Sequence, residues 1–289
     1  MAERSSFKIG GKAALLAEPA DEEALAFVLA EIKKAGIPYF VLGGGTNVLF
    51  DDAGYDGIIV STKKLSDISV IKDCPVGTET EGKTIIRAAA GASMAALVSF
   101  AERQGLTGLE EFAGLPGTVG GAVYMNARCF DKEISEVAAA IRWLEPDLAP
   151  REAVFAPSDW AYKKSPFTGT GRVVLSAQFV LKKGSSEECA KRGAAFIQER
   201  KDKGHYKAPC AGSVFKNNRA FGRPTGKIID ELGLKGERRG GAQIAPFHGN
   251  IIINAGGATS ADVRALIDLC KSAALEKFGF TLEEEIILA

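Results

Sequence analysis

The fold of this chain is decided by Phe112-Ala113-Gly114-Leu115-Pro116-Gly117-Thr118-Val119-Gly120-Gly121-Ala122-Val123-Tyr124-Met125-Asn126, a stretch with four glycines within eight residues. Glycine adopts positive φ at no steric cost and leaves no Cβ between the backbone and a ligand. Successive N–H groups in such a loop line a concave surface, and a phosphate or pyrophosphate suits a surface of donors. A tight turn is the alternative interpretation of the same glycines.

A second glycine loop, Gly43-Gly44-Gly45-Thr46-Asn47, directly follows the apolar strand Tyr39-Phe40-Val41-Leu42. It does not match the dinucleotide fingerprint G-x-G-x-x-G, because residue 48 is valine. Two phosphate-type loops in one chain instead predict a long diphosphate cofactor that is bound from two sides. Cofactors of this kind commonly lie between lobes.

Taken together, the two loops resemble the FAD-binding domain of the vanillyl-alcohol-oxidase type, in which the FAD pyrophosphate lies between two glycine-rich turns. Within that group, the chain is similar to the UDP-N-acetylenolpyruvoylglucosamine reductases, the MurB enzymes of peptidoglycan synthesis. The G-S-x-F-K-N and L-E-x-E pieces are specific to that family in combination, whereas each glycine loop alone is only suggestive. The resemblance covers nearly the whole chain, and the pieces that carry it are Phe7 to Gly11, Leu42 to Asn47, Gly114 to Asn126, Gly212 to Asn217 and Leu282 to Ile286.

This resemblance implies an α+β fold with a two-lobed FAD-binding domain and a C-terminal α+β substrate-binding domain. The expected boundaries are 1–61 for the first FAD lobe, 62–184 for the second and 185–289 for the substrate-binding domain. Only fifty residues separate Lys163 from Ser213, which leaves little room for the substrate-capping insertion of the longer enzymes and indicates type II reductases. The implied cofactors are non-covalent FAD and NADPH, and the expected FAD contacts are Gly43, Gly44, Gly45, Thr46, Asn47, Val48, Gly114, Leu115, Pro116, Gly117, Thr118, Gly120, Gly121 and Asn126.

Two further motif positions carry the catalytic chemistry in the family. The serine of G-S-x-F-K-N is the general acid, and Ser213 occupies that position. Hydride addition to the terminal carbon of an enol ether leaves a carbanion-like centre, which is basic enough for an alcohol to protonate. The second glutamate of L-E-x-E, Glu285, is expected to stabilise the enolic carboxyl through a short hydrogen bond, which requires partial burial and a raised pKa. Without the resemblance, Ser213 would be a polar strand end and the glutamates a solvated charge run.

Two segments depart from the family pattern. The family reads Y-R-x-S-x-F where this chain has Tyr162-Lys163-Lys164-Ser165-Pro166-Phe167. Lys163 keeps the positive charge of the expected catalytic arginine but loses the planar fork that grips a carboxylate. Arg128-Cys129-Phe130-Asp131 replaces a G-A-Y-G segment that lies next to the flavin in relatives. The bulk of this replacement is expected to change flavin exposure or the access of NADPH.

Four more residues match family positions that contact the substrate, namely Tyr162, Lys216, Asn217 and His248. Lys216 and its neighbours are expected to address the diphosphate of UDP. A histidine before a buried strand is also commonly structural, and the sequence leaves both interpretations of His248 open. His205 is given no role.

The resemblance therefore implies an NADPH-dependent enzyme that reduces UDP-N-acetylglucosamine enolpyruvate to UDP-N-acetylmuramate, with a UDP-sugar as its small-molecule partner. Two alternatives stay open. A flavin oxidase of a small alcohol would share the FAD lobes but leaves Ser213 and Glu285 unexplained. A catalytically weakened relative that still binds FAD or the UDP-sugar is supported by Lys163.

Composition narrows the remaining possibilities. The chain has 289 residues, and its 36 basic and 36 acidic residues give a formal net charge of zero, so neither nucleic acid nor a membrane surface is expected as a partner. The polar N-terminus Met1-Ala2-Glu3-Arg4-Ser5 does not resemble an export signal. Five widely spaced cysteines form no C-x-x-C pair, which favours neither disulfides nor a metal site and fits the cytoplasm. A monomer is expected.

Hydrophobic periodicity and capping residues predict the main elements. A capping pair, Thr259 and Asp262, begins the last helix, and Gly279 ends it. The helices are expected over 21–35, 94–104, 186–201 and 261–277. The strands are expected over 38–42, 57–60, 137–144, 172–181 and 250–254, with a hairpin over 68–90 whose turn falls within 75–83.

Overall fold

The computed structural model describes residues 1–71 and 82–289. Cys74 and residues 75–81 of the expected hairpin turn lie outside the described residues. The helices are α1 (Glu22–Lys34), α2 (Met94–Arg103), α3 (Val119–Tyr124), α4 (Ser186–Asp202), α5 (Thr225–Glu231) and α6 (Ser260–Phe278). The strands are β1 (Ala13–Ala17), β2 (Tyr39–Leu42), β3 (Val48–Leu49), β4 (Tyr55–Ser61), β5 (Ile68–Ile71), β6 (Lys83–Ala89), β7 (Leu106–Thr107), β8 (Arg128–Cys129), β9 (Lys132–Glu133), β10 (Ala138–Leu144), β11 (Pro150–Ala153), β12 (Val173–Lys183), β13 (Cys210–Ser213), β14 (Arg238–Arg239), β15 (Ala242–Ile244), β16 (Ile251–Asn254) and β17 (Ile287–Leu288).

The four expected helices are confirmed as α1, α2, α4 and α6, and local capping chemistry marks the starts of α1, α2 and α6. The Asp21 carboxylate accepts the N–H of Ala24 at 2.7 Å at the start of α1. Thr259 and Asp262 form a reciprocal capping box at α6, and Gly279 ends that helix at φ 74°. The short helices α3 and α5 were not among the expected elements.

Two compact units make up the chain. The unit that we call the terminal unit comprises Met1–Ala14, Gly45–Asp56 and Arg200–Ala289. The other, the central unit, comprises Leu15–Gly44 and Gly57–Glu199.

The central unit is built on an antiparallel sheet whose strand order is β11-β10-β12-β6-β5, with β7 paired to the end of β12. Helices α2 and α3 pack on the apolar face of this sheet, where Phe112, Val119, Val123 and Phe179 are fully buried. The second sheet has the order β1-β4-β2, and β2 runs parallel to β4. The apolar side of α1 covers Ile58 and Val60 of this sheet. Both glycine segments, 43–44 and 114–121, belong to this unit.

The terminal unit combines the two ends of the chain around one core. Its sheet has the order β13-β16-β15-β14, and α6 packs against it. Phe7, Ile9 and Leu49 are buried in the same core as the C-terminal residues. The parallel pairing of β17 with β3 adds a second direct link between these distant parts of the sequence.

These units differ from the linear lobes expected over 1–61, 62–184 and 185–289. Residues 1–14 and 45–56 belong with the C-terminal residues, because their apolar side chains are buried in the core of the terminal unit. Most of α4 belongs with the central unit, where Phe196 and Ile197 pack against the main core. The division into two FAD lobes and a substrate-binding domain therefore stays a proposal about which residues bind which ligand. Among the described residues, no helix is long and apolar enough to cross a membrane.

Candidate functional site

The two glycine segments meet within the central unit, backbone against backbone. A Cβ built on Gly44 would lie 2.6 Å from the Gly117 Cα, and one built on Gly43 would lie 2.5 Å from the Thr118 Oγ1. Gly117 itself has φ 114°, a conformation that side-chain-bearing residues rarely adopt. The glycines at these positions are therefore required by the close approach of the two loops.

Several backbone donors of these loops have no acceptor among the described residues. In residues 1–71 and 82–289, no protein acceptor receives the N–H of Gly44, Gly117 or Thr118. The N–H groups of the next glycines are used, because Gly120 donates to the Ala90 carbonyl at 2.8 Å and Gly121 to the Thr118 Oγ1 at 3.4 Å. A set of unused N–H donors at two touching glycine loops fits the diphosphate of a dinucleotide cofactor.

Three further residues expected to contact FAD, Gly45, Asn47 and Val48, pack against or bond to other residues of the terminal unit. Gly45 belongs to the terminal unit, where a Cβ would lie 2.1 Å from the Arg4 carbonyl oxygen. The Asn47 amide donates to the Glu285 carbonyl at 3.0 Å. Val48 is buried in β3, opposite Ile287.

The G-S-x-F-K-N and L-E-x-E pieces lie side by side in the terminal unit. The N–H of Glu285 donates to the Val214 carbonyl at 2.7 Å, and the N–H of Lys216 donates to the Glu283 carbonyl at 2.8 Å. Ser213 and Glu285 therefore lie on two adjacent extended segments, although almost the whole C-terminal domain separates them in sequence. Both residues are half-buried. Within the described residues, the Ser213 hydroxyl makes no hydrogen bond, so its proton is available to a ligand.

A buried asparagine, which the sequence reasoning missed, fixes the segment that follows Ser213. The Asn250 Oδ1 accepts the N–H of Phe215 at 2.9 Å, and its Nδ2 donates to the Phe215 carbonyl at 2.8 Å. The Asn250 carbonyl also accepts the N–H of Val214 at 2.9 Å. The sequence signal that could have identified Asn250 is a polar residue at the start of an otherwise apolar strand.

Charged side chains surround the same pair of segments. The Lys216 ammonium lies 2.5 Å from Glu283, and the Lys271 ammonium lies 2.8 Å from Glu284. Burial works to raise the pKa of Glu284, but the hydrogen bonds from Lys271 and from the backbone outweigh it and hold that pKa below its ordinary value. The Asn217 side chain is occupied at the start of α5, where its Oδ1 accepts the N–H of Thr225 at 2.8 Å.

The two histidines of the chain lie together in the terminal unit, with ring centroids 5.8 Å apart. The Nδ1 atom of His248 accepts the N–H of Asn250 at 3.2 Å, and burial lowers the pKa of His248. His248 is therefore a neutral ring at neutral pH, one that offers an Nε2–H donor instead of a positive charge. Burial, together with Arg200 and His248, lowers the pKa of His205 to about 4.

This low pKa predicts a pH-dependent stability. The unfolded chain protonates His205 with a pKa of 6.5 and the folded chain with a pKa of about 4, so the contribution is present above pH 6.5 and is lost as the pH falls towards 4. We expect His205→Gln to reduce the loss of unfolding free energy between about pH 7 and about pH 5, measured by urea unfolding. Tyr206→Gln, a change at the exposed neighbour, is the control. An unchanged pH dependence in His205→Gln would contradict the buried neutral state.

The Tyr162–Lys163 segment forms a tight turn in the central unit. Ala161 and Lys164 each donate their N–H to the other's carbonyl at 3.0 Å. Lys163 has φ 56°, a left-handed conformation that costs a residue with a Cβ roughly 1–2 kcal/mol. Its ammonium lies 5.9 Å from the centroid of the Tyr162 ring.

The segment that departs from the family pattern forms a second tight hairpin, β8 to β9. Phe130 and Asp131 occupy its turn with φ 47° and 66°. The Phe130 ring packs on Phe196 of α4 with centroids 4.6 Å apart. Arg128 lies 2.7 Å from Asp131 and 3.2 Å from Glu133, so the side chains of this loop are held by contacts within the central unit.

Each unit thus gathers one part of the expected site. The central unit holds the first glycine pair, the long glycine loop and Asn126 with the Tyr162–Lys163 turn. The terminal unit holds Gly45 to Val48 together with the catalytic and substrate candidates Ser213, Glu285, Lys216, Asn217 and His248.

Comparison with known proteins gives concordant matches over both units. Residues 13–146 match the protein-family model "FAD binding domain", and residues 204–289 match "UDP-N-acetylenolpyruvoylglucosamine reductase, C-terminal domain". The expected class, an α+β FAD-binding domain followed by an α+β C-terminal domain, is confirmed.

Whole-chain relatives agree with these domain matches. UDP-N-acetylenolpyruvoylglucosamine reductase of Treponema denticola is 44% identical over 99% of this chain and 90% of the relative. The Treponema pallidum protein of the same name is 37% identical over 100% of this chain and 92% of its own length. The crystal structure of the reductase MurB from Thermus caldophilus superposes with a TM-score of 0.78 at 31% identity, covering 99% of this chain and 96% of that chain.

Proposed function

The chain belongs to the UDP-N-acetylenolpyruvoylglucosamine reductase family, and from that premise we propose how its own residues carry out the reaction. It is an oxidoreductase that uses FAD and NADPH to reduce UDP-N-acetylglucosamine enolpyruvate to UDP-N-acetylmuramate in peptidoglycan synthesis. The observation that carries the proposal is the direct pairing of the Ser213 segment with the Glu285 segment.

The glycine loops of the central unit would hold FAD. The unused N–H groups of Gly44, Gly117 and Thr118 offer donors to its diphosphate, and the absent side chains let the backbone approach. When bound, FAD supplies a carrier that takes a hydride from NADPH and delivers it to the terminal carbon of the enolpyruvyl group.

Ser213 supplies the proton of the second half-reaction. Its hydroxyl donates to the carbon that bears the carboxylate, after the terminal carbon has gained a hydride. The hydroxyl is half-buried, and the described residues make no hydrogen bond to it, so the proton is not committed elsewhere. The backbone beneath it is fixed by Asn250, which limits how far the donor can move.

Two charged groups act on the carboxylate of the substrate. Glu285 lies beside the Ser213 segment and would share a proton with the enolic carboxyl. Lys163 would offer a positive charge where the family has arginine, and a point charge held near the carboxylate can stabilise developing negative charge, although it orients the group less than a guanidinium fork does.

The substrate diphosphate would be bound by donors close to Ser213. Lys216 is half-buried and its present partner, Glu283, is mostly exposed, so the ammonium can exchange this weak ion pair for a phosphate. His248 would add a neutral Nε2–H donor. Asn217, whose Oδ1 accepts the N–H of Thr225 at the start of α5, would contact the substrate from the same segment.

Substitutions at Lys163 distinguish a fully active reductase from the catalytically weakened relative that the sequence left open. We expect Lys163→Met to lower turnover about a hundredfold or more, as for loss of one oxyanion-type donor, and Lys163→Arg to preserve or raise it. Steady-state turnover with NADPH and the enolpyruvyl substrate is the measurement. Lys164→Met is the matched control. The Lys164 side chain is exposed, and its hydrogen bonds with Ala161 in the turn are made by the backbone. Unchanged turnover in Lys163→Met would remove Lys163 from the mechanism.

Family membership and the paired Ser213 and Glu285 segments favour the reductase over a flavin oxidase of a small alcohol, which gives these residues no role. A cytoplasmic monomer completes the proposal. The four described cysteines are thiols, which suits a reducing compartment.

A further inference from the structure

The C-terminal end of α3 is a junction for three segments of the central unit. Asn126, two residues beyond this helix, has φ 41° and is completely buried. Its Nδ2 donates to Glu133 Oε2 at 2.8 Å and to the Ala161 carbonyl at 3.0 Å. Its Oδ1 accepts the N–H of Ser135 at 3.1 Å. Both amide hydrogens are therefore used inside the protein.

Ala161, whose carbonyl accepts this hydrogen bond, is the first residue of the turn that carries Lys163. This turn places Lys163 in the left-handed region, which an unconstrained lysine rarely adopts. Surrounding contacts must therefore hold it. Asn126 holds one side of the turn through Ala161.

The other side of the turn is tied to the same helix end. Ser165 Oγ donates to the Tyr124 carbonyl at 2.7 Å, and Thr168 Oγ1 donates to the same oxygen at 2.8 Å. The helix α3 begins in the long glycine loop, where Thr118 is its N-cap. A single short helix thus links the FAD loop to the lysine turn.

We propose that Asn126 is a positioning residue for the reaction, which holds the Tyr162–Lys163 turn through Ala161 and acts on catalysis through Lys163. This inference rests on the proposed role of Lys163. It concerns the side-chain amide, whose two hydrogens go to Glu133 and Ala161, and the sequence-based expectation that Asn126 contacts FAD stays a prediction.

Asn126→Asp tests the proposal, because it preserves the shape of the side chain while removing both donors. The matched control is Asn254→Asp in the terminal unit, which keeps the oxygen that accepts from Gly256 and Ala258 and, like Asn126→Asp, loses the Nδ2 donor, here to the Phe7 and Lys8 carbonyls. Hydrogen exchange at the amides of Ala161 and Lys164 reports on the turn independently of catalysis. We expect faster exchange at these two amides in Asn126→Asp and no change there in the control.

Kinetics then show whether Asn126 acts through Lys163. We expect Asn126→Asp to slow reoxidation of the NADPH-treated holoprotein by the enolpyruvyl substrate about a hundredfold, with flavin reduction by NADPH preserved. The double variant Asn126→Asp/Lys163→Met should be no slower than Lys163→Met alone, because the two changes remove one function.

Unchanged exchange at Ala161 and Lys164, or rate losses that multiply in the double variant, would overturn the inference. An unchanged rate in Lys163→Met would refute the proposed role of Lys163 and with it the action of Asn126 through that residue, while the exchange data still decide whether Asn126 holds the turn. If Asn126→Asp does not fold, Asn126→Gly keeps the left-handed backbone, deletes the amide and gives the same test.

Discussion

Replacing Ser213 with alanine is expected to leave reduction of the bound flavin by NADPH nearly unchanged, and to slow reoxidation by UDP-N-acetylglucosamine enolpyruvate by about a hundred- to ten-thousand-fold. The reason is that Ser213 is proposed to act only after the hydride has reached the substrate. A positioned proton donor is then lost, and water must reach a site built for a hydroxyl.

Anaerobic stopped-flow absorbance measures the two half-reactions of Ser213→Ala separately. Cys210→Ala is the matched control, because Cys210 lies on the same strand, β13, and has no role in proton transfer. Its two half-reactions should both match the wild type. Equal losses in both half-reactions of Ser213→Ala would instead indicate a defect in folding or FAD binding.

Replacing Gly117 with valine is expected to abolish FAD binding. Gly117 has φ 114°, a conformation that a β-branched residue rarely adopts, and it lies where the two loops approach so closely that a Cβ on Gly44 would come within 2.6 Å of its Cα. Valine would displace the loops and hinder donation from the N–H groups of Gly117 and Thr118 to the diphosphate. The purified variant should carry no flavin absorbance.

Gly36→Ala is the control for the general cost of a side chain at positive φ. Gly36 has φ 64°, and no described atom lies within 4 Å of the Cβ that it would gain. We expect this variant to be somewhat less stable but to carry FAD at the wild-type ratio, measured by absorbance and by reconstitution with added FAD. Full flavin content in Gly117→Val would show that the loop does not hold the diphosphate.

Local structure was predictable because short-range chemistry determines it. The ends of α1 and α6 follow from Asp21, the Thr259–Asp262 pair and Gly279, each of which satisfies or terminates backbone bonds within a few residues. The strands beside the glycine loops were likewise marked by apolar runs. These features require no knowledge of distant parts of the chain.

The composition of the two units was not predictable from local pattern. Residues 1–14 and 45–56 join the C-terminal core through burial of Phe7 and Leu49 and through pairing of β3 with β17. Nothing in the sequence around these residues distinguishes that partner from a neighbouring lobe, because hydrophobic burial is not directional.

In the candidate site, too, the residues of short motifs were predictable and the residues that support them were not. Ser213 and Glu285 came from family motifs, and the structure pairs the backbones of their segments. The supporting roles of the Asn126 and Asn250 amides could not be read from the motifs, because these roles lie in hydrogen bonds to atoms far away in sequence. For Asn126 the motif predicts only a contact with FAD, which stays a prediction.

FAD is expected to carry a hydride from NADPH to the enolpyruvyl group within this protein. Anaerobic titration of the flavin-loaded wild type tests it most directly. NADPH should abolish the absorbance of oxidised flavin, and UDP-N-acetylglucosamine enolpyruvate, added next without oxygen, should restore it with an equal amount of UDP-N-acetylmuramate formed. Flavin that is bleached by NADPH but stays bleached after the substrate is added would contradict the account.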